Sequence, residues 1–184
     1  MTPSLSLPGF SSPAAGPEDP LAMLSACHER VERLCRTLTR LLPHLAHHGA
    51  DAQAREAAQA VLRYFDEAAP NHHADEEDDL FALLQQASTA DPTSAAALVE
   101  LTQTLVTQHR QLEQLWRALR PSLQAVAQGQ AHTLDAGEVT SLVEAYRAHV
   151  ALEDRDLLPQ AARVLNADAL QRLGQAMSQR RGLR

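Results

Sequence analysis

Apolar residues recur every three or four positions along most of the chain. Leu24, Val31, Leu34, Leu38, Leu41 and Leu45 have the spacing that lays a stripe along one side of an α-helix. They predict a first helix that starts near Asp19 and Pro20, with proline in the first turn, and runs to Gly49. A second helix is predicted from about Asp51 to Ala87, with a kink or bulge at Pro70, just before His72, where proline removes a hydrogen bond. The third opens with Asp91 as N-cap and Pro92 in its first turn, passes Trp116, bends at Pro121 and ends near Gln128 before Gly129. The fourth carries capping-box spacing at Asp135 and Glu138 and runs through Leu142, Tyr146, Val150 and Leu157 to about Val164, with Pro159 kinking its last turns. Asn166 then caps a short fifth helix whose basic end suits the negative pole of the helix dipole. Four long helices with short loops predict an all-α fold: an antiparallel four-helix bundle with a short C-terminal fifth helix.

Residues 1–17 read MTPSLSLPGFSSPAAGP and carry no periodicity, which predicts a disordered N-terminal tail. The chain therefore divides into a tail (1–17), a bundle (18–165) and a C-terminal helix with a basic tail (166–184). Composition agrees: hydrophobic residues make up 45% but aromatic residues only 3%, and alanine and leucine carry the apolar content. A net charge of −7 repels phosphate backbones and anionic lipid, so neither nucleic acid nor a membrane is an expected partner. With no apolar run of about 18 residues and no signal-peptide pattern, the expected location is cytoplasmic. Cys27 and Cys35 lie too far apart on one helix for a local disulfide.

The chemistry is written twice. Helix 2 contains His72, Glu76, Glu77, Asp79 and Leu80, and helix 4 contains His149, Glu153, Asp154, Asp156 and Leu157, so both read HxxxE(E/D)xDL. Helices 1 and 3 share Hxx(V/L)ExL, at His28, Val31, Glu32 and Leu34 and at His109, Leu112, Glu113 and Leu115. The separation between the matched members is nearly equal in the two cases, which suggests two helical hairpins in tandem. Residues four apart on a helix differ by about 40° in direction and about 6 Å in rise, so each histidine and the following glutamate share a face. Four imidazoles and up to four carboxylates buried in a bundle would cost several kcal/mol per ion if uncompensated, and metal ions resolve that cost. Imidazole suits iron, zinc, copper and nickel, while carboxylate is the natural bridge between two hard cations, so the mixed set favours two irons.

At these residues the sequence resembles the hemerythrin-like (HHE cation-binding) family, over roughly residues 20–165, with HHADEEDDLF as its most specific string. The resemblance implies two non-haem iron ions with an oxo or hydroxo bridge. It also implies that His72 with Glu76 and His149 with Glu153 are ligand pairs whose carboxylates bridge, and that His28 and His109 are the single histidines of helices 1 and 3. Oxygen-carrying hemerythrins place a second histidine one turn along helix 3, where this chain has Glu113, which puts simple reversible oxygen carriage in doubt. Glu32 stands at the matching place on helix 1. Glu32 and Glu113 either complete a carboxylate-richer ligand set or face solvent.

Other residues have plainer readings. His73 and Glu77 point about 100° away from the ligands and are expected to support them from outside. His44, His47 and His48 suit a helix C-terminus, and His132 a loop. Cys27 is expected to fill space rather than react. Phe65, Trp116 and Tyr146 fall on the ligand stripes, as core residues that could also cap the pocket and restrict it to diatomics or peroxide. Three functions follow. The favoured one is binding of O2, NO or peroxide in sensing or in oxidative or nitrosative stress response. The others are a di-iron enzyme for peroxide disproportionation, nitrogen-oxide reduction or iron-centre repair, and a metal-stabilised interaction or iron-responsive protein. A homodimer or an unidentified protein partner is left open.

Overall fold

The computed structural model describes residues 16–88 and 92–183 and contains helices, with no strand among the described residues. Helix α1 (Pro20–His48) starts at Asp19, whose carboxylate accepts from the Ala22 amide at 3.0 Å. The second long helix begins as α2 (Ala52–Arg63), capped by Asp51 on the Ala54 amide at 2.8 Å. It continues through a π-helical turn (Tyr64–Ala68), α3 (Ala69–Ala74), a second π-helical turn (Asp75–Leu80) and α4 (Phe81–Ala87). After α5 (Pro92–Ala127), Gly129 takes a positive φ of 73° that ends the helix. Asp135 caps α6 (Ala136–Leu152) through the Glu138 amide at 2.8 Å; a third π-helical turn (Glu153–Leu157) leads into α7 (Leu158–Val164). Asn166 caps α8 (Ala167–Arg180). The tail expected over 1–17 lies outside the described residues except for Gly16 and Pro17, and so does the expected cap Asp91.

Pro70 and Pro159 do not end their helices because each follows a π-helical turn. There the Ala69 amide donates to Tyr64 O and the Leu158 amide to Glu153 O, five residues back. The extra residue opens the ladder where proline offers no donor. The turn at Asp75–Leu80, closed by the Phe81 amide on Glu76 O, has no such proline and instead carries Glu76.

In the bundle α1 lies against α2 and α6, and α5 completes the square against the same two helices. The fifth helix packs across the turn Asp75–Leu80 and α1. The apolar core is in two parts. One surrounds Leu38, Val61, Phe65, Trp116, Leu119 and Tyr146. The other surrounds Leu24, Leu80, Leu84, Leu105, Leu157 and Met177. Between them, His28, His72, Glu76, His109, His149 and Glu153 form a buried polar belt, each no more than 3% exposed. Each of these residues replaces an apolar member of a helix stripe, so the fold itself carries them inward.

Candidate metal centre

The belt forms two overlapping quartets, His28, His72, Glu76 and Glu153, and then Glu76, His109, His149 and Glu153. The donor atoms of each lie within 4.8 Å of one another, and both glutamates belong to both sets. His28 Nε2 is 3.1 Å from Glu153 Oε2, and His72 Nε2 is 3.6 Å from Glu76 Oε1. On the other side, His109 Nε2 is 3.4 Å from Glu76 Oε2, and His149 Nε2 is 3.2 Å from Glu153 Oε1. His73 adds a third imidazole on that side: it groups with His109 and His149 and stacks on the His109 ring at 4.0 Å. The expectation that His73 points away from the cluster is thus not what the structure shows.

The outer nitrogens are held from the neighbouring helices. The Nδ1 atoms of His28 and His109 bond Asp154 and Glu77, each at 2.7 Å, and His149 Nδ1 bonds Gln108 Oε1 at 2.9 Å. A proton on Nδ1, donated to these oxygens, leaves each Nε2 lone pair facing the belt, as a metal ligand requires. The two acids are the second letters of the repeated E(E/D) pair. Each reaches across to the histidine of another helix, Glu77 to helix 3 and Asp154 to helix 1. Arg110 in turn holds Glu77 at 2.6 Å.

Inward atoms lack such partners. The Nε2 atoms of His28, His73, His109 and His149 and all four oxygens of Glu76 and Glu153 are buried without a hydrogen bond, and so is His72 Nδ1, although it is His72 Nε2 that faces Glu76. Unpaired polar atoms in this number would be strongly destabilising, and their convergence on shared points fits cations. Burial followed by the neighbouring Glu153 pushes Glu76 up to about 8, while at Glu153 burial is outweighed by His109 and His28, which hold it well below the carboxylate range. Burial also works against a charged His28 or His109, but Glu153 and the other carboxylates raise them to about 9 and about 10. His72 and His149 are instead lowered by burial, to about 3 and about 4. Protons thus supply the positive charge that two buried carboxylates need, and a cation would displace them.

Glu32 and Glu113 are not brought to this cluster. Glu32 binds Arg36 and Arg147, each at 3.2 Å, and the exposed Glu113 binds Arg117. Both helices are regular there, and their buried stripe steps from histidine to the third residue on, Val31 or Leu112. The fourth residue lies about 40° further round and turns to solvent. On the other two helices the π-helical turns begin at or beside the glutamate and turn it inward.

Phe65 packs on Trp116 and Tyr146 with ring centroids 5.1 and 5.0 Å apart. Rather than sealing the belt, these rings line an open cavity of about 500 Å³ whose inner wall includes His73 and His109. His44 binds Asp51 at 3.0 Å, and His132 accepts from the Ala50 amide, so both tie loops. Cys27 and Cys35 are free thiols.

A four-helix bundle with a shared His/Glu belt at its middle is a cation-binding bundle. The sequence matches the hemerythrin HHE cation binding domain over residues 19–161, and the chain belongs to that family. It is also similar to a Haemophilus influenzae protein described as uncharacterized, 34% identical over 163 residues that span 89% of this chain and 90% of the relative. No helix among the described residues is long and apolar enough to cross a membrane.

Proposed function

We propose that the chain binds two non-haem iron ions and presents them to small ligands, O2, NO or peroxide, in sensing or in oxidative or nitrosative stress response. The observation that carries this reading is the double membership of Glu76 and Glu153. Two donor sets that share two carboxylates suit a pair of hard cations better than one ion. His28 and His72 would serve one ion, and His109 and His149 with His73 the other, the two glutamates common to both. Two such irons supply a redox couple to a bound small molecule. The chain's own part is orientation and exclusion. Asp154, Glu77 and Gln108 fix the rings, and the two apolar half-cores cover the belt at either end, leaving the aromatic cavity as its open side.

Iron content of the chain purified without added metal tests this, read with visible absorption of the oxidised form before and after peroxide. Two irons per chain, with absorption that changes and recovers, is the expected result; zinc or no metal overturns it. Sustained turnover of peroxide in the same samples would move the reading from sensor to catalyst.

A further inference from the structure

The aromatic cavity beside the belt is larger than a diatomic ligand needs. Its volume of about 500 Å³ falls within the range of small-molecule sites, about 300–1,000 Å³. One side is apolar, formed by Phe65, Trp116 and Tyr146 with Ala69. The inner end is polar, formed by the stacked His73 and His109 with Glu77. The rim decides the charge of the occupant. Its three arginines are each matched by a carboxylate of the lining: Arg110 by Glu77 of the inner end at 2.6 Å, Arg120 by Asp66 at 2.8 Å, and Arg117 by Glu113. Asp78 adds a further negative charge to the lining. The rim therefore offers no excess positive charge to an anion, and an anion would have to break an ion pair to gain an arginine.

We propose that this cavity binds a neutral organic molecule with a compact apolar body and one O–H end, an aryl or branched-alkyl alcohol or hydroperoxide. The body rests on the three aromatic rings and the O–H end meets the histidine and carboxylate wall. The inference deepens the proposed function and rests on it for the meaning of the site, since it would place such a molecule beside the second iron.

Trp116 is the chain's single tryptophan, so its fluorescence reports occupancy directly. The test titrates 2-phenylpropan-2-ol into the full chain as purified, with benzoate as an anionic probe of similar size and with metal content measured on the same sample. A saturable fluorescence change is expected, with benzoate binding roughly tenfold more weakly or worse. Ala74→Phe, which fills the cavity, and Glu113→Phe, which adds bulk to its lining from an exposed position, should each weaken the alcohol roughly tenfold. The second variant covers the case in which the first does not fold. Absence of a saturable change, benzoate binding as well as the alcohol, or folded variants that bind like the parent would overturn the proposal. Metal-bearing protein that ignores the alcohol sinks the cavity inference alone, whereas metal-free protein that binds it sinks the iron reading and leaves the cavity.

Discussion

At the scale of single residues, what separates His28, His109 and His149 from ordinary core histidines is the pairing of the outer nitrogen and the bareness of the inner one. His149 shows both: Gln108 holds Nδ1, while Nε2 faces Glu153 without a hydrogen bond. Replacing it with alanine removes a donor from the second quartet and leaves Glu153 buried with less positive charge nearby. His149→Ala is therefore expected to lose at least one iron and to melt at a lower temperature than the parent; a variant that keeps both irons would show the quartet to be misassigned. The ligand candidates on helices 2 and 4 could be read from sequence because each histidine and glutamate lie on one helix. Of the acids that hold His109 and His28, Glu77 was legible as an outer support and Asp154 was not, and the partner of neither could be named, since both act across helices and nothing local says which neighbour they meet. Glu32 and Glu113 show the converse limit: a four-residue spacing fixes direction only to about 40°, and that angle divides the belt from the surface.

Helices differ in how their buried positions step. Along α5 the buried residues Leu98, Thr102, Leu105, His109, Leu112, Trp116 and Leu119 alternate steps of four and three, as a regular helix in a bundle requires. On the second helix His72, Glu76, Leu80 and Leu84 are buried in successive steps of four, and on the fourth His149, Glu153, Leu157 and Ala161 do the same. A regular α-helix would drift about 40° at each step, and the π-helical turns take up the drift. That rhythm is present in the sequence, where proline is the one local signal of irregularity. The turn at Asp75–Leu80, which has no proline, is the one it could not explain. Deleting the exposed Asp78 should convert this turn to regular helix while α4 stays packed, drawing Glu76 off the stripe as Glu32 is drawn on α1. The expected outcome is near-parental helicity by circular dichroism with reduced metal content; parental metal content would show that the extra residue does not position Glu76.

Across the whole molecule, the fifth helix is tied to the belt by charge. Arg180 and Arg181 both bind Asp75, Arg181 at 2.6 Å, and Arg180 also reaches Asp79 at 2.8 Å. Asp75 is fully buried and directly precedes Glu76 in sequence. Gly174 lets the same helix lie close to the chain's N-terminal side, because a Cβ there would collide with the Pro17 carbonyl. Removing both arginines would leave the Asp75 carboxylate buried without a partner, so Arg180→Ala with Arg181→Ala should cost about 3–5 kcal/mol in urea unfolding. A loss below about 1 kcal/mol would mean that water replaces the pair, as at an exposed salt bridge.

The two-part core has a consequence of its own. Because a polar layer separates the apolar halves, little side-chain packing crosses the middle of the bundle, and the halves are joined there mainly by continuous backbone and by whatever the belt holds. Local opening can then start at either end and stop at the layer, so that fluctuations of the half bearing α8 need not loosen the half bearing the aromatic rings.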